Sequence, residues 1–162
     1  MKIGVVSDTH SLEVPQQLVE DFKTVDVIVH AGDFCTQEDF NIFAKIKEVK
    51  AVYGNMDDSD LREKLPETLM LSYEGKQLGV FHGEGPAKKV LDSVRRKFQN
   101  SKTDIIIFGH SHQPMNELID HVLYFNPGSP NDKTYAPYRS YGIIEINNGT
   151  VKGHIIKVKD HG

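Results

Sequence analysis

Five short apolar runs in this chain lead into side chains that can hold a metal ion. Ile3–Ser7 leads into Asp8-Thr9-His10, and Val25–Val29 into Ala31-Gly32-Asp33. Val49–Tyr53 is followed by Gly54-Asn55, Gln77–Phe81 by His82-Gly83, and Asp104–Phe108 by Gly109-His110-Ser111-His112. The donors are two carboxylates, one amide and four imidazoles: Asp8, Asp33, Asn55, His10, His82, His110 and His112. Seven donors exceed what a single four-coordinate zinc takes. They suit two divalent ions of the Mn, Fe, Ni or Zn kind, held by mixed oxygen and nitrogen ligands. If one carboxylate bridges, each ion receives four protein ligands and keeps room for water and substrate. Two carboxylates contribute −2 and two ions +4, so the pocket is net +2 inside a chain of net charge −4. An anionic substrate follows, with phosphate esters the natural class.

Each piece alone is ordinary: Gly-Asp and Gly-Asn are common turns. The ordered set, each member at the end of an apolar run, is what points to a metal centre. Asp8/His10 and His110/His112 are both spaced i, i+2, and in extended chain such residues point to the same side. Glycine precedes Asp33, Asn55 and His110 and follows His82, so backbone can crowd close to a centre there.

The elements that must position these residues can be read from periodicity. Up to about residue 113, short β-branched runs alternate with amphipathic stretches, which implies βα units and a parallel sheet. Pro15 fits the first turn of a helix to about Phe22, Thr36 with Asp39 starts a second helix, and Pro86 opens a third with Val90, Leu91, Val94 and Phe98 buried. Leu69–Tyr73 and Gln77–Phe81 form a hairpin around Glu74-Gly75-Lys76. After residue 113 the reading is all strand: Met115–Ile119, Val122–Phe125, Tyr141–Ile146 and Val151–Val158, the last two joined at Asn148-Gly149. That dipeptide tolerates the positive φ of a tight hairpin. Carboxyl ends of parallel strands share one edge, where such sheets place ligands.

At 162 residues, with no repeat or linker composition, one domain over residues 1–162 is expected. The single cysteine, Cys35, excludes an intramolecular disulfide and a cysteine-rich zinc cage. No apolar run reaches the roughly 18 residues of a membrane span. The first residues lack a signal-peptide pattern, so a cytoplasmic location is expected. The net charge of −4 argues against a broad surface for duplex nucleic acid.

The motifs resemble the calcineurin-like metallophosphoesterase superfamily. Its pattern stands here as Asp8-Thr9-His10, Gly32-Asp33, Gly54-Asn55-Met56-Asp57, His82-Gly83 and Gly109-His110-Ser111-His112, with Asn126-Pro127-Gly128-Ser129 similar to a downstream turn. The short chain without an inserted cap is most similar to small archaeal and bacterial phosphodiesterases. The resemblance implies an α/β (α+β) fold, a four-layer αββα sandwich of two mixed sheets flanked by helices. It implies one metal at Asp8, His10, Asp33 and His112 and a second at Asp33, Asn55, His82 and His110, with Asp33 bridging. Asp33, Asn55 and His110 are the candidate catalytic residues among them. The implied reaction is hydrolysis of a small phosphodiester: two ions about 3.5–4 Å apart lower the pKa of a bridging water, and the hydroxide attacks phosphorus in line. The same fold serves in a retromer subunit as a protein-binding scaffold, and a metal-dependent nuclease is a third reading. A membrane partner is not expected, and self-association is left open.

One position departs from the pattern. Many members carry histidine after Gly-Asn, and here Met56 cannot donate a proton. Other polar residues have plainer readings. His30 is a core or neighbouring residue, and His121, His154 and His161 are surface positions. Cys35 is a small buried loop residue. Asp57 orients a ligand, Asp58 and Asp60 start a helix, and Lys88, Lys89, Arg95, Arg96 and Lys97 form a solvated helix face. Arg139 has two open readings, a substrate-phosphate contact or a structural role.

Overall fold

The computed structural model describes residues 1–160, so His161 lies outside the described residues. Among the described residues, ten strands form two five-stranded sheets. The first holds β1 (Lys2–Val6), β2 (Val27–His30), β3 (Val49–Ala51), β9 (Ser140–Asn147) and β10 (Thr150–Lys157), in the order β10-β9-β1-β2-β3. The second holds β4 (Thr68–Tyr73), β5 (Lys76–Phe81), β6 (Ile105–Ile107), β7 (Met115–Ile119) and β8 (Val122–Asn126), in the order β4-β5-β6-β8-β7. Helices α1 (Gln16–Phe22), α2 (Gln37–Ala44) and α3 (Ser59–Lys64) belong to the first half of the chain, and α4 (Val90–Lys97) follows a 3₁₀ turn after Pro86.

Side chains alternate across each strand, and this builds three layers of core. Ile3, Val5, Val27 and Val29 of the first sheet meet Leu78, Val80, Ile105 and Ile107 of the second between the sheets. The opposite faces carry Val6 and Ile28 against Leu18 and Phe22 of α1, Phe43 of α2 and Leu61 of α3. On the other side Ile106 and Phe108 meet Val90, Val94 and Phe98 from the α4 segment. Strands buried on both faces explain the near-continuous apolar runs. The αββα sandwich expected from the resemblance is the fold observed.

Local signals agree with it. Thr36 and Asp39 form a reciprocal capping box on α2. Asp58 caps α3 by accepting from Leu61 N at 3.0 Å, so the acidic cluster is a helix start, as expected. His121 and His154 are exposed. Arg95, Arg96 and Lys97 fill the last turn of α4, where cations complement the helix dipole.

The topology decides where the site lies. β1, β2 and β3 run parallel with Val6, His30 and Ala51 in register. β5, β6 and β8 do the same with Val80, Ile107 and Phe125. Each sheet therefore presents three carboxyl ends together.

Candidate metal centre

The five loops at those strand ends bring all seven sequence-predicted residues together. Asp8, His10 and His112 form one cluster of mutually close donor atoms, and Asp33, His82 and His110 form another. His112 Nε2 lies 3.4 Å from Asp8 Oδ1 and 3.3 Å from His10 Nε2. Asn55 completes the second cluster, its Oδ1 lying 3.2 Å from both His82 Nε2 and His110 Nδ1. Asp33 Oδ2 faces both groups, 3.6 Å from His10 Nε2 and 3.2 Å from His82 Nε2.

The i, i+2 spacing works differently from the extended-chain reading. β1 ends at Val6 and β6 at Ile107, so neither pair lies in a strand. Asp8, His10, Asp33, His110 and His112 all have φ between 50 and 68°. Turning the backbone left-handed costs energy in non-glycine residues and persists where the surroundings over-determine it. Here it aims His112 at the Asp8 cluster while His110, two residues away, joins the Asp33 cluster.

Backbone groups hold one oxygen of each carboxylate and leave the other facing inward. Asp8 Oδ2 accepts from Ser7 Oγ at 2.7 Å and His110 N at 3.0 Å. Its Oδ1 is buried with no hydrogen-bond donor among the described residues, the nearest imidazole nitrogen being His112 Nε2 at 3.4 Å, an arrangement that costs free energy unless a cation takes that side. Asp33 Oδ1 accepts from Met56 N at 2.8 Å. The role of Met56 is thus carried by its backbone, while the residue as a whole is exposed. Asp57 accepts from Asp33 N, Cys35 N and Gly54 N at 2.7–3.0 Å, which clamps the second and third ligand loops to one another. A Cβ at Gly54 would stand 2.2 Å from Asp33 Oδ1, and one at Gly109 would stand 2.0 Å from Ser7 Oγ. Glycine is required at both places for close approach.

The imidazoles are oriented too. His82 Nδ1 donates to Ala31 O at 2.7 Å and His110 Nε2 to Gly85 O at 2.9 Å, so the opposite ring nitrogen faces the centre. His112 Nδ1 donates to Asp132 Oδ2 at 2.6 Å. Such outer partners fix the tautomer of a metal-ligating histidine. Asp132 was not anticipated from the sequence: it comes from the loop after β8, and no motif marks it. The only available signal is the Asn126-Pro127-Gly128-Ser129 turn at the sixth strand end. Ser129 Oγ donates to Asp8 O at 2.8 Å and Asn131 Nδ2 to Thr9 O at 2.9 Å, which ties that loop to the first.

Charge is matched by charge. Burial opposes protonation of His82, but Asp8 and Asp33 outweigh it and push the ring up to about 9. Against the same burial, Asp8 and Asp132 raise His112 to about 9. Burial would raise Asp8, yet His82, His10 and His112 hold it well below the usual carboxylate range. Asp132 is opposed by burial and brought down to about 2 by His112 and backbone N–H groups. A divalent cation must displace the inward ring protons, so affinity rises with pH.

Asp132→Asn is expected to weaken divalent-metal affinity about 10–100-fold, measured by competition with a chelating dye. An unchanged affinity would contradict the role given to Asp132. In metal-free protein the His112–Asp132 pair has its own pH signature. The raised His112 contributes stability below its unfolded pKa of about 6.5 and loses it as pH rises through about 9. The lowered Asp132 contributes above its unfolded pKa of about 3.9 and loses it as pH falls through about 2. The stability gap between wild type and variant should therefore be widest between about pH 4 and 6.5.

His30 is a core residue, stacked on Phe34 at 3.5 Å and held below its usual range by burial. Gly32 N donates to its Nδ1, so its Nε2 serves Thr9 Oγ1 and not the centre. Cys35 is half-buried in the second ligand loop, its thiol pushed up by burial. Arg139 is paired with the exposed Asp160, a contact that fits the structural reading.

This geometry stands beside a family match. The sequence model of the calcineurin-like phosphoesterase superfamily domain matches residues 1–149. The chain belongs to that superfamily. It is 31% identical over 134 residues to a probable metallophosphoesterase of Methanothermobacter thermautotrophicus, covering 80% of this chain and 77% of that one. It is 32% identical over 143 residues to a phosphodiesterase of Methanocaldococcus jannaschii, covering 79% and 83%. Among solved structures, Vps29 of Entamoeba histolytica in complex with zinc matches with a TM-score of 0.74 at 24% identity, covering 97% of this chain and 99% of that one. That last likeness concerns the fold. The superfamily makes this chain a metal-dependent hydrolase of phosphate esters.

Proposed function

We propose that the chain is a dinuclear metallophosphoesterase that hydrolyses small phosphodiesters, built as one domain over residues 1–162. The observation that carries this is Asp33 Oδ2, set between two donor clusters, 3.6 Å from His10 Nε2 and 3.2 Å from His82 Nε2. Asp8, His10 and His112 would hold one ion, and Asn55, His82 and His110 the other, with Asp33 shared. Bound there, two divalent ions of the Mn, Ni, Fe or Zn kind supply Lewis acidity and bring the pKa of water towards 7. The orphaned Asp8 Oδ1 and the outward ties of three imidazoles support the fit.

The protein's own part is orientation. Ala31 O, Gly85 O and Asp132 hold three rings so that no reorganisation is needed when charge develops on phosphorus-bound oxygen. The net positive pocket suits an anionic ester, and the uncapped edge leaves space for two substituents. Met56 offers no proton, so a leaving group that departs as a stable anion suits the site best. The net charge of −4 supports a small substrate over nucleic acid. The single cysteine fits the reducing cytoplasm, and no helix among the described residues is long and apolar enough to cross a membrane.

The test is turnover of aryl and nucleotide phosphodiesters with added Mn²⁺, Ni²⁺, Zn²⁺ or Mg²⁺. Activity that chelator abolishes and metal restores is the expected result. No turnover with any metal, together with a protein partner that Asn55→Ala leaves bound, favours the scaffold reading.

A further inference from the structure

The surface next to the centre is uneven in a way the ligands do not explain. A cavity of about 230 Å³ opens beside Asp8, His10 and His112, and its outer walls are Leu12 and Tyr135. These are two of the most exposed large apolar residues of the protein, Leu12 at 54% and Tyr135 at 81%. Isolated exposed apolar side chains are common. Two of them walling one cavity with three metal-ligand candidates are a different matter.

Both walls are fixed to the ligand loops. Leu12 follows His10 by two residues, and its N–H donates to Thr9 O at 3.2 Å. Tyr135 N donates to Asp132 Oδ1 at 3.0 Å, and Tyr135 O accepts from Gln113 Nε2 at 3.3 Å, next to His112. The backbones are therefore held at a set distance from the centre while the side chains stand in solvent.

The charge of the lining narrows the occupant. Among the described residues no lysine or arginine lines this cavity, and its acidic members, Asp8 and Asp132, both face His112. Beyond the metal centre and the histidines that would hold it, a second phosphate or carboxylate has no lysine or arginine to meet there. An apolar, flat group has a partner, because an exposed phenol ring stacks readily on another ring. The volume is below the roughly 300–1,000 Å³ of pockets that enclose a whole drug-sized ligand, so it suits one ring system rather than a whole molecule.

We infer that Leu12 and Tyr135 form the pocket for an uncharged, planar ester group of the substrate, which makes the preferred substrates aryl-type or nucleoside-type phosphodiesters and not esters with anionic tails. This rests on the phosphodiesterase reading above, and it names the substrate class of that same site.

The test pairs binding with turnover on the Mn²⁺-loaded protein. Calorimetry compares phenylphosphonate with methylphosphonate, which share the metal-facing group and differ only in the ring. Wild type should bind phenylphosphonate about tenfold more tightly, within the range of ring stacking on an aromatic side chain. Tyr135→Ala should erase that preference, Tyr135→Phe should keep it, and Leu12→Ala should reduce it, with bound metal unchanged in all three. In turnover, the KM for bis(p-nitrophenyl) phosphate should rise about tenfold in Tyr135→Ala. Equal affinities for the two phosphonates in wild type, or a preference that Tyr135→Ala leaves intact, overturn the pocket. If wild type turns over no diester at all, the phosphodiesterase reading fails, and the phosphonate comparison still decides whether the pocket takes a ring.

Discussion

Asp33→Ala is expected to remove both ions and to lower phosphodiester turnover by about 10³-fold or more. Outer partners of a metal ligand already cost about 10–100-fold in affinity when removed, so a carboxylate shared by two ions must exceed that for each. Asp8 is a poor substitute, because its Oδ1 lies closer to His112 and His10, at 3.4 and 3.6 Å, than to His82 at 3.8 Å, and its other oxygen is occupied by Ser7 and His110 N. Removing Asp33 also frees Met56 N, which donates to its Oδ1, and loosens the Asn55 loop. His10→Ala makes the contrast, since it strips a ligand from the Asp8 cluster alone. Metal analysis of the two purified variants checks this. Asp33→Ala retaining one ion at full occupancy would contradict the shared role.

Gly54→Ala is expected to damage the site more than the fold. The added Cβ would stand 2.2 Å from Asp33 Oδ1 and 2.8 Å from Asp33 N, so the ligand carboxylate or its backbone must move. Overpacking of this kind costs about 1–3 kcal/mol, which lowers Tm by several degrees in a chain of this size. The displaced oxygen belongs to the carboxylate whose Oδ2 faces the metal centre, so metal binding should fall by more than about 100-fold, beyond the effect of losing an outer partner. Leu18→Ala is the comparison. It empties space behind α1, away from the strand ends, and costs about 2–5 kcal/mol with metal content unchanged. Calorimetric melting and metal analysis of both variants separate the two effects. A Gly54→Ala protein that melts low but keeps its metal would show that Asp33 is less tightly positioned than its contacts imply.

The seven donors were legible because each follows an apolar run, and a parallel register makes run ends into neighbours. Val6, His30 and Ala51 sit side by side, so the loops after them had to meet. Much of the remaining geometry had no local signature. The left-handed turns at Asp8, His10, His110 and His112 arise from long-range contacts, such as Asp8 N to Gly32 O at 2.9 Å and His10 N to Asp33 O at 3.0 Å. Spacing alone therefore suggested extended chain there. The strand order β6-β8-β7 depends on which neighbour a strand pairs with, and alternation of side chains does not encode that. Asp132 was missed for the same reason: it meets His112 only because β8 lies beside β6. The pairing of Arg139 with Asp160, 21 residues on, has no local signature either.

Anomalous diffraction from crystals of the wild-type protein grown with Mn²⁺ tests the two-metal reading most directly. Two manganese peaks are predicted, one beside Asp8, His10 and His112 and one beside Asn55, His82 and His110, with the Asp33 carboxylate between them. A single peak at saturating metal, or peaks remote from Asp33, would contradict it.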